Sequence, residues 1–331
     1  MNPPIRWGIL GLGNIAKSFA QGLKAVPDAT LVAVGSRSAD KAKAFANEFG
    51  ATRIHGSYEA LANDPQVDVI YVATPHPMHK DDAILCLNAG KAVLCEKPFT
   101  VNARELEAVI AVARQKKVFL MEAMWTRCMP AMAKVREWLA SQRIGEPRLV
   151  TADFGFRCAW DPQSRLLAPS LAGGGLLDVG IYTIAFAAMV FGPRPSRVTG
   201  FAHLGETSVD EQAAYILGYP GGGLASLTCG VRTDTPHVAR IDGTAGRIEI
   251  TAPFWKATRA VLTVGNHTEV IETPHLANGY EYEAIEVGRC LRAGLTESPI
   301  ITLDESLALM QTLDQLRAQF GLSYPMDGAK A

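Results

Sequence analysis

The sequence predicts an α/β chain in two parts: an N-terminal doubly wound parallel sheet, then a C-terminal α+β part built on a large, mainly antiparallel open sheet. Three observations predict it. From Arg6 to about Leu120, short apolar or β-branched runs alternate with helical patterns, the rhythm of βα units. Past residue 145 the rhythm changes to longer strands of period two. A length of 331 residues, 48% apolar and 20% charged, suits two domains each able to bury a core.

In the first part, strands are expected at Ile5–Leu10, Leu31–Gly35, Val67–Ala73, Ala92–Cys95 and Val118–Leu120. Helices are expected between them, over Ile15–Val26, Asp40–Phe49, Met78–Ala89 and Ala103–Lys116, the last with Asn102 as N-cap and Glu105 three residues on. After a helix at Ala131–Ala140, strands are expected at Leu149–Arg157, Arg197–Ala202, Ala213–Gly218, Gly223–Arg232, Arg247–Ile250 and Val261–Ile271. In Gly223–Arg232, Ala225, Leu227, Cys229 and Val231 share one face, so one side of that sheet is buried. A helix over Gly175–Val190 together with two C-terminal helices is expected to cover that side. In the last helix Thr302 and Glu305 form a capping box, and Leu309, Leu313, Leu316 and Phe320 recur at helical spacing. The domains read as 1–122 for dinucleotide binding and 123–331 for substrate binding and dimerisation, the C-terminal helix packing back on the first.

Composition excludes several classes. With 32 basic and 33 acidic side chains the formal net charge is −1, which leaves no field to hold a polyanion, so no nucleic-acid partner is expected. The six cysteines, at 86, 95, 128, 158, 229 and 290, form no C-x-x-C pair and read as reduced cytoplasmic thiols. No metal site is expected, and His76 and His79 read as polar groups of a loop. The apolar run Val179–Phe191 is shorter than the roughly 20 residues of a bilayer span and reads as a buried helix, so no membrane partner is expected. The opening MNPPIRWGILGLG lacks a leader pattern, which points to the cytoplasm.

Gly11-x-Gly13-x-x-Ala16 directly follows the first strand and opens the first helix, the setting in which this fingerprint binds a dinucleotide. Gly11 permits the tight turn, Gly13 lets a pyrophosphate approach, the amides of Asn14 and Ile15 face the anion, and Ala16 keeps the helix close to the sheet. Where NAD-binding chains place a carboxylate after the second strand, this chain has Ser36 and Arg37, with Lys41 a turn later. A hydroxyl, a guanidinium and an ammonium suit a 2′-phosphate, so NADP is preferred to NAD; the alternative is that Arg37 and Lys41 are solvated surface charges.

The chain resembles the glucose-fructose oxidoreductase and inositol dehydrogenase superfamily (Gfo/Idh/MocA) at Cys95-Glu96-Lys97-Pro98, after Ala73-Thr74-Pro75-His76 and His79, and again at Gly173-Gly174-Gly175-x-x-Asp178-x-Gly180-x-Tyr182. The segments Glu122–Arg127, Tyr282–Gly294 and Glu297–Pro299 make it most similar to the branch holding dimeric dihydrodiol dehydrogenases and NADP-dependent D-xylose dehydrogenases, where Tyr replaces the His of most relatives at position 182. The resemblance implies a Rossmann domain and an oxidoreductase that moves a hydride between NADP and a ring hydroxyl or carbonyl carbon of a sugar or cyclic polyol. It implies Tyr182 as general acid/base, Lys97 as its assistant and polariser of the reacting oxygen, and Asp178 as the group that orients substrate hydroxyls. Thr74, Pro75, His79, Glu96 and Lys97 would line the nicotinamide end, with Lys97–Pro98 in cis; Trp125, Arg127 and Phe154 would border the substrate; and a homodimer would form through the open sheet face.

Chemistry agrees with these assignments, because an ammonium beside a phenol brings its pKa toward neutrality and residues four apart share a helix face. Each residue also has a plainer reading. Lys97 fits a surface lysine, Asp178 a helix N-terminus, Tyr182 a core aromatic, and Trp125 a domain-interface anchor. No tyrosine has Lys four residues later, which removes the short-chain dehydrogenases. Two other classes stay open: a non-catalytic NADP sensor of this fold, which would have lost the Lys97, Asp178 and Tyr182 set, and an NAD-dependent glycosidase, which would prefer NAD.

Overall fold

The computed structural model describes residues 3–328. Met1 and Asn2, the head of the stretch read for a leader, lie outside the described residues, as do 329–331. The chain divides into two units. The first takes 1–100, 104–128 and 275–306; the second takes 101–103, 129–274 and 307–331. The sequence places the boundary at residue 122 with the C-terminal helix packing back on the first domain; this division assigns the penultimate helix to the first unit.

In the first unit the elements are β1 (Ile5–Leu10), α1 (Asn14–Leu23), β2 (Ala29–Gly35), α2 (Ala39–Phe49), β3 (Arg53–His55), α3 (Tyr58–Ala62), β4 (Val69–Val72), α4 (His79–Asn88), β5 (Ala92–Glu96), α5 (Ala103–Lys116) and β6 (Leu120–Ala123). The six strands are all parallel in the order β3-β2-β1-β4-β5-β6, so the winding reverses between β1 and β4. Ligands of such sheets bind beyond the carboxyl ends of the strands at that reversal, where the Gly11–Gly13 turn stands. The central strands are buried on both faces (Ile9, Leu10, Ile70, Val72, Val93, Leu94), hence their continuous apolar runs.

Two elements here were not foreseen and one expectation is corrected. β3 and α3 carry too little apolar periodicity to be read from sequence. The last strand lies at Leu120–Ala123, later than Val118–Leu120, because its Glu122 is a buried carboxyl that masks the strand pattern.

The second unit contains α6 (Pro130–Ala140), β7 (Pro147–Gly155), a π turn (Leu176–Gly180) leading into α7 (Ile181–Phe191), β8 (Arg197–Leu204), β9 (Asp210–Gly218), β10 (Leu224–Gly230), β11 (Ala239–Gly243), β12 (Gly246–Ile250), β13 (Arg259–Val264) and β14 (His267–Glu272). Its sheet runs β14-β13-β12-β11-β7-β10-β9-β8 and is antiparallel except for β7 beside β10. The single strand expected at Val261–Ile271 is a hairpin turning at Gly265, whose φ is +55°. β11 was not foreseen; its Ala239 and Ile241 supply only two apolar positions.

α7 packs against β7 and β10, and α6 against β13, covering the inner face. On the outer face, which carries no helix among the described residues, Phe201, Ile216 and Leu224 stand exposed. Two helices complete the chain, α8 (Glu281–Arg292) and α9 (Leu303–Phe320). α8 packs against α1 in the first unit rather than covering the antiparallel sheet as expected. α9 opens with the foreseen cap, Glu305 N donating to Thr302 Oγ1 at 3.1 Å, and its Gln319 bonds the backbone of edge strand β8 at Val198 and Gly200. The helical stretch Pro169–Phe191 is longer than the run read from sequence and could span a bilayer by length and composition alone, yet 83% of its most apolar window is buried inside the protein.

Candidate active site

In the first unit, the turn from β1 to α1 has the shape of a phosphate cradle. Gly11 sits at φ +86°, and a Cβ there would stand 2.9 Å from the carbonyl carbon and oxygen of Ala73. At Gly13 a Cβ would meet nothing within 4 Å, so the space before α1 is open, and among the described residues no side chain caps that N-terminus. Ala16 is fully buried against the sheet. An uncapped helix start facing open space fits a pyrophosphate.

At the end of β2, Ser36 Oγ accepts from Ser38 N at 3.1 Å, and Ser38 Oγ caps α2 by accepting from Lys41 N at 3.4 Å. Arg37 and Lys41 project outward. Arg37 also lies beside the Tyr58 hydroxyl and the Asp82 carboxyl. Burial pushes Asp82 up to about 6, against the bond it accepts from Thr74 Oγ1 at 2.7 Å and the charge of Arg37.

His79 is no loop group. It is fully buried at the start of α4, with Nδ1 2.9 Å from the Pro98 carbonyl and Nε2 2.7 Å from the Thr74 carbonyl. His76 is buried as well. His79 thereby ties the Thr74–Pro75 turn to the Lys97–Pro98 turn, whose peptide bond is cis. Burial holds its pKa below the usual histidine range.

The turn bearing Lys97 is anchored by buried carboxyls. Lys97 N donates to Glu96 Oε2 at 3.2 Å, and Tyr71 Oη donates to Glu96 Oε1. Phe99 N donates to Glu122 Oε1 at 3.2 Å, and Ser306 Oγ to Glu122 Oε2 at 2.6 Å. Burial raises Glu122 to about 7. Glu283, on α8, is fully buried with neither oxygen hydrogen-bonded among the described residues, and burial together with the charge of Glu96 raises it far above the carboxylate range. The buried contacts of Tyr71, Glu122 and Glu283 were not read from sequence: Tyr71 and Glu122 sit in apolar runs and Glu283 in a polar helix, where only the fold reveals their neighbours.

Trp125 stacks on Tyr280, with ring centroids 4.1 Å apart and planes at 7°. Arg127 is buried and bonded to Glu305 Oε1 at 2.8 Å and the Ile300 carbonyl at 3.0 Å. A guanidinium so engaged fastens the start of α9 and the residues just before it.

In the second unit, Asp178 lies in the π turn and Tyr182 in the first turn of α7. The expected regular helix would put them on one face by α-helical spacing, whereas the π turn widens the step after Asp178. Arg165 Nη1 pairs with Asp178 Oδ1 at 2.8 Å. Tyr182 stands against an aromatic wall: Phe154 lies 5.4 Å from it and stacks on Trp255 at 3.4 Å, with His237 edge-on to both Phe154 and Trp255. Trp255 and His237 come from strand connections that no sequence motif marks.

An open dinucleotide cradle in one unit, with an acid and a phenol before an aromatic wall in the other, defines an NAD(P)-binding oxidoreductase acting on a small molecule. Residues 5–124 match an oxidoreductase family described as having an NAD-binding Rossmann fold, and residues 132–249 match the GFO/IDH/MocA C-terminal domain. The chain belongs to the GFO/IDH/MocA family. It is 42% identical to the trans-1,2-dihydrobenzene-1,2-diol dehydrogenase of Mus musculus over 334 residues, covering 98% of this chain and 99% of the relative. The Homo sapiens protein of the same name is 40% identical over 333 residues, at 98% and 99% coverage. Among solved structures, KijD10, a 3-ketoreductase from Actinomadura kijaniata in complex with NADP and TDP-benzene, superposes with a TM-score of 0.83 at 28% identity, covering 96% of this chain and 98% of that one. An aldose-aldose oxidoreductase from Caulobacter crescentus shares the fold with a TM-score of 0.88 at 24% identity, covering 96% and 97%.

Proposed function

We propose that this protein is an NADP-dependent dehydrogenase that oxidises a ring carbinol of a cyclic diol, polyol or sugar to the carbonyl, with Tyr182, Lys97 and Asp178 as its working groups. The observation that carries the reading is the buried Tyr182 and Asp178 presented with the aromatic wall of Phe154 and Trp255, a surface suited to the apolar face of a ring with hydroxyls at its edge. The exposed Arg37 and Lys41, with no carboxylate at the end of β2, support NADP over NAD.

Bound NADP supplies the hydride acceptor. Gly11, Gly13, Asn14, Ile15 and Ala16 would hold its pyrophosphate, Ser36, Arg37 and Lys41 its 2′-phosphate, and the turns at Thr74–Pro75 and Glu96–Lys97, joined through His79, its nicotinamide end. Lys97 would polarise the reacting hydroxyl oxygen and assist Tyr182 in the proton transfer. Tyr182 Oη takes the hydroxyl proton as the C–H bond breaks and returns it in the reverse direction. Asp178, paired with Arg165, accepts a hydrogen bond from the adjacent hydroxyl and orients the ring.

Tyr182→Phe tests the assignment. With trans-1,2-dihydrobenzene-1,2-diol and NADP, kcat should fall by about 10²–10⁴, the range of general acid/base groups, while NADPH affinity stays within twofold. Retained turnover would return Tyr182 to the core.

The exposed outer face of the antiparallel sheet supports a homodimer through that face. All six cysteines are free, which supports a cytoplasmic setting.

A further inference from the structure

Of the three glycines 173–175, Gly174 and Gly175 stand against a buried carboxyl group. Asp210, the first residue of β9, is fully buried, and its Oδ2 accepts from Leu176 N at 2.5 Å, at the head of the π turn that carries Asp178. A Cβ at Gly174 would stand 2.1 Å from Asp210 Oδ1, and Gly174 itself has φ +119°; a larger residue would expel the carboxyl. Oδ1 has no hydrogen-bond partner among the described residues. Tyr324 Oη donates to the Gly173 carbonyl at 2.6 Å and fastens the same segment.

We propose that Asp210 is a positioning residue, which through the amides heading the π turn sets the angle at which Asp178 and Tyr182 leave the helix. A π turn is less favourable than the α-helix it interrupts, so it persists where outside contacts hold it. Here the contact is a carboxylate at a helix N-terminus, where the macrodipole favours negative charge and the first amides lack intrahelical acceptors. Asp178 is two residues from the bonded amide and Tyr182 six, so movement of this anchor is transmitted along hydrogen-bonded backbone to both.

The anchor is sensitive to protonation. Burial raises Asp210 to about 7, opposed by the amides of Leu176 and Gly175 and by the Arg317 cation. The groups facing it are Arg317 from α9, Tyr215 from β9, Cys229 from β10, and Tyr324. Burial raises Tyr215, Cys229 and Tyr324 far above neutrality, so Asp210 alone among these acids changes charge between pH 6 and 8. Above its pKa the carboxylate accepts fully from the amides; below it the neutral acid accepts more weakly.

The inference rests on Tyr182 and Asp178 being the working groups, and it is tested in two arms. In the first, Asp210→Asn is assayed with trans-1,2-dihydrobenzene-1,2-diol and NADP at pH 8 and 5.5. Loss of the charged acceptor should lower kcat about tenfold at pH 8, with NADPH affinity within twofold, and the deficit should shrink to about twofold at pH 5.5, where the wild-type carboxyl is also neutral. An equal deficit at both pH values, or none at pH 8, overturns the proposal. The second arm needs neither the variant nor a substrate. Hydrogen exchange in the wild-type protein, corrected for intrinsic rates, should show amides 175–180 protected several-fold more at pH 8 than at pH 6; a flat profile overturns the proposal. Failure of the underlying reading shows separately, as undiminished turnover in Tyr182→Phe.

Discussion

Replacing Glu122 by Gln should make the protein more resistant to heat at alkaline pH while leaving it nearly unchanged in acid. The side chain is fully buried, its two oxygens are taken by Phe99 N and Ser306 Oγ, and burial raises its pKa from 4.5 to about 7. Because the folded value lies above the unfolded one, stability is fully present below pH 4.5 and is lost as pH rises through about 7. A rise of that size costs about 3 kcal/mol at pH 9 but only about 1 kcal/mol at pH 5. Glutamine keeps both contacts, its carbonyl accepting from Phe99 N and its amide donating to a Ser306 hydroxyl that turns to accept. The gap in stability between variant and wild type should therefore widen by about 2 kcal/mol from pH 5 to pH 9, roughly 5 °C in Tm for domains of this size. Only the difference isolates Glu122, since Asp210 and Glu283 are also raised and tilt the wild-type curve in the same direction. Scanning calorimetry of both proteins at the two pH values measures it. A gap that does not change with pH would refute the buried neutral acid and, with it, the account of how the Lys97 turn is anchored.

Two further outcomes follow from exposed groups. Arg37→Asp should weaken NADP binding by at least tenfold and NAD binding far less, because a phosphate would then meet a like charge; fluorescence titration with each dinucleotide reads this, and wild-type preference for NAD would refute it. Light scattering at micromolar concentration should give twice the 35.5 kDa chain mass, and Phe201→Asp should halve it, because Phe201, Ile216 and Leu224 are 85%, 49% and 47% exposed on the open face. A wild-type mass of one chain would refute the dimer.

The sequence by itself determined the sheet-and-helix rhythm of the first unit, the glycine turn and the cofactor class, because each depends on local chemistry: strand periodicity, a φ that only glycine adopts readily, and an uncapped helix start. It also held a signal that pattern reading passed over, since Gly265-Asn266 inside Val261–Ile271 is a hairpin turn by composition. Tertiary structure decided the rest. The π turn under Asp178 is invisible to periodicity because an outside carboxyl, that of Asp210, 34 residues away in the chain, holds it. The buried acids Glu122 and Glu283 read as ordinary strand and helix residues until β5, β6 and α8 come together, and α8 leaves the sheet it follows in sequence to pack on α1. Backbone preference acts over a few residues and is written locally; burial, desolvation and hydrogen bonding join residues far apart in the chain, and the fold alone brings those pairs within reach.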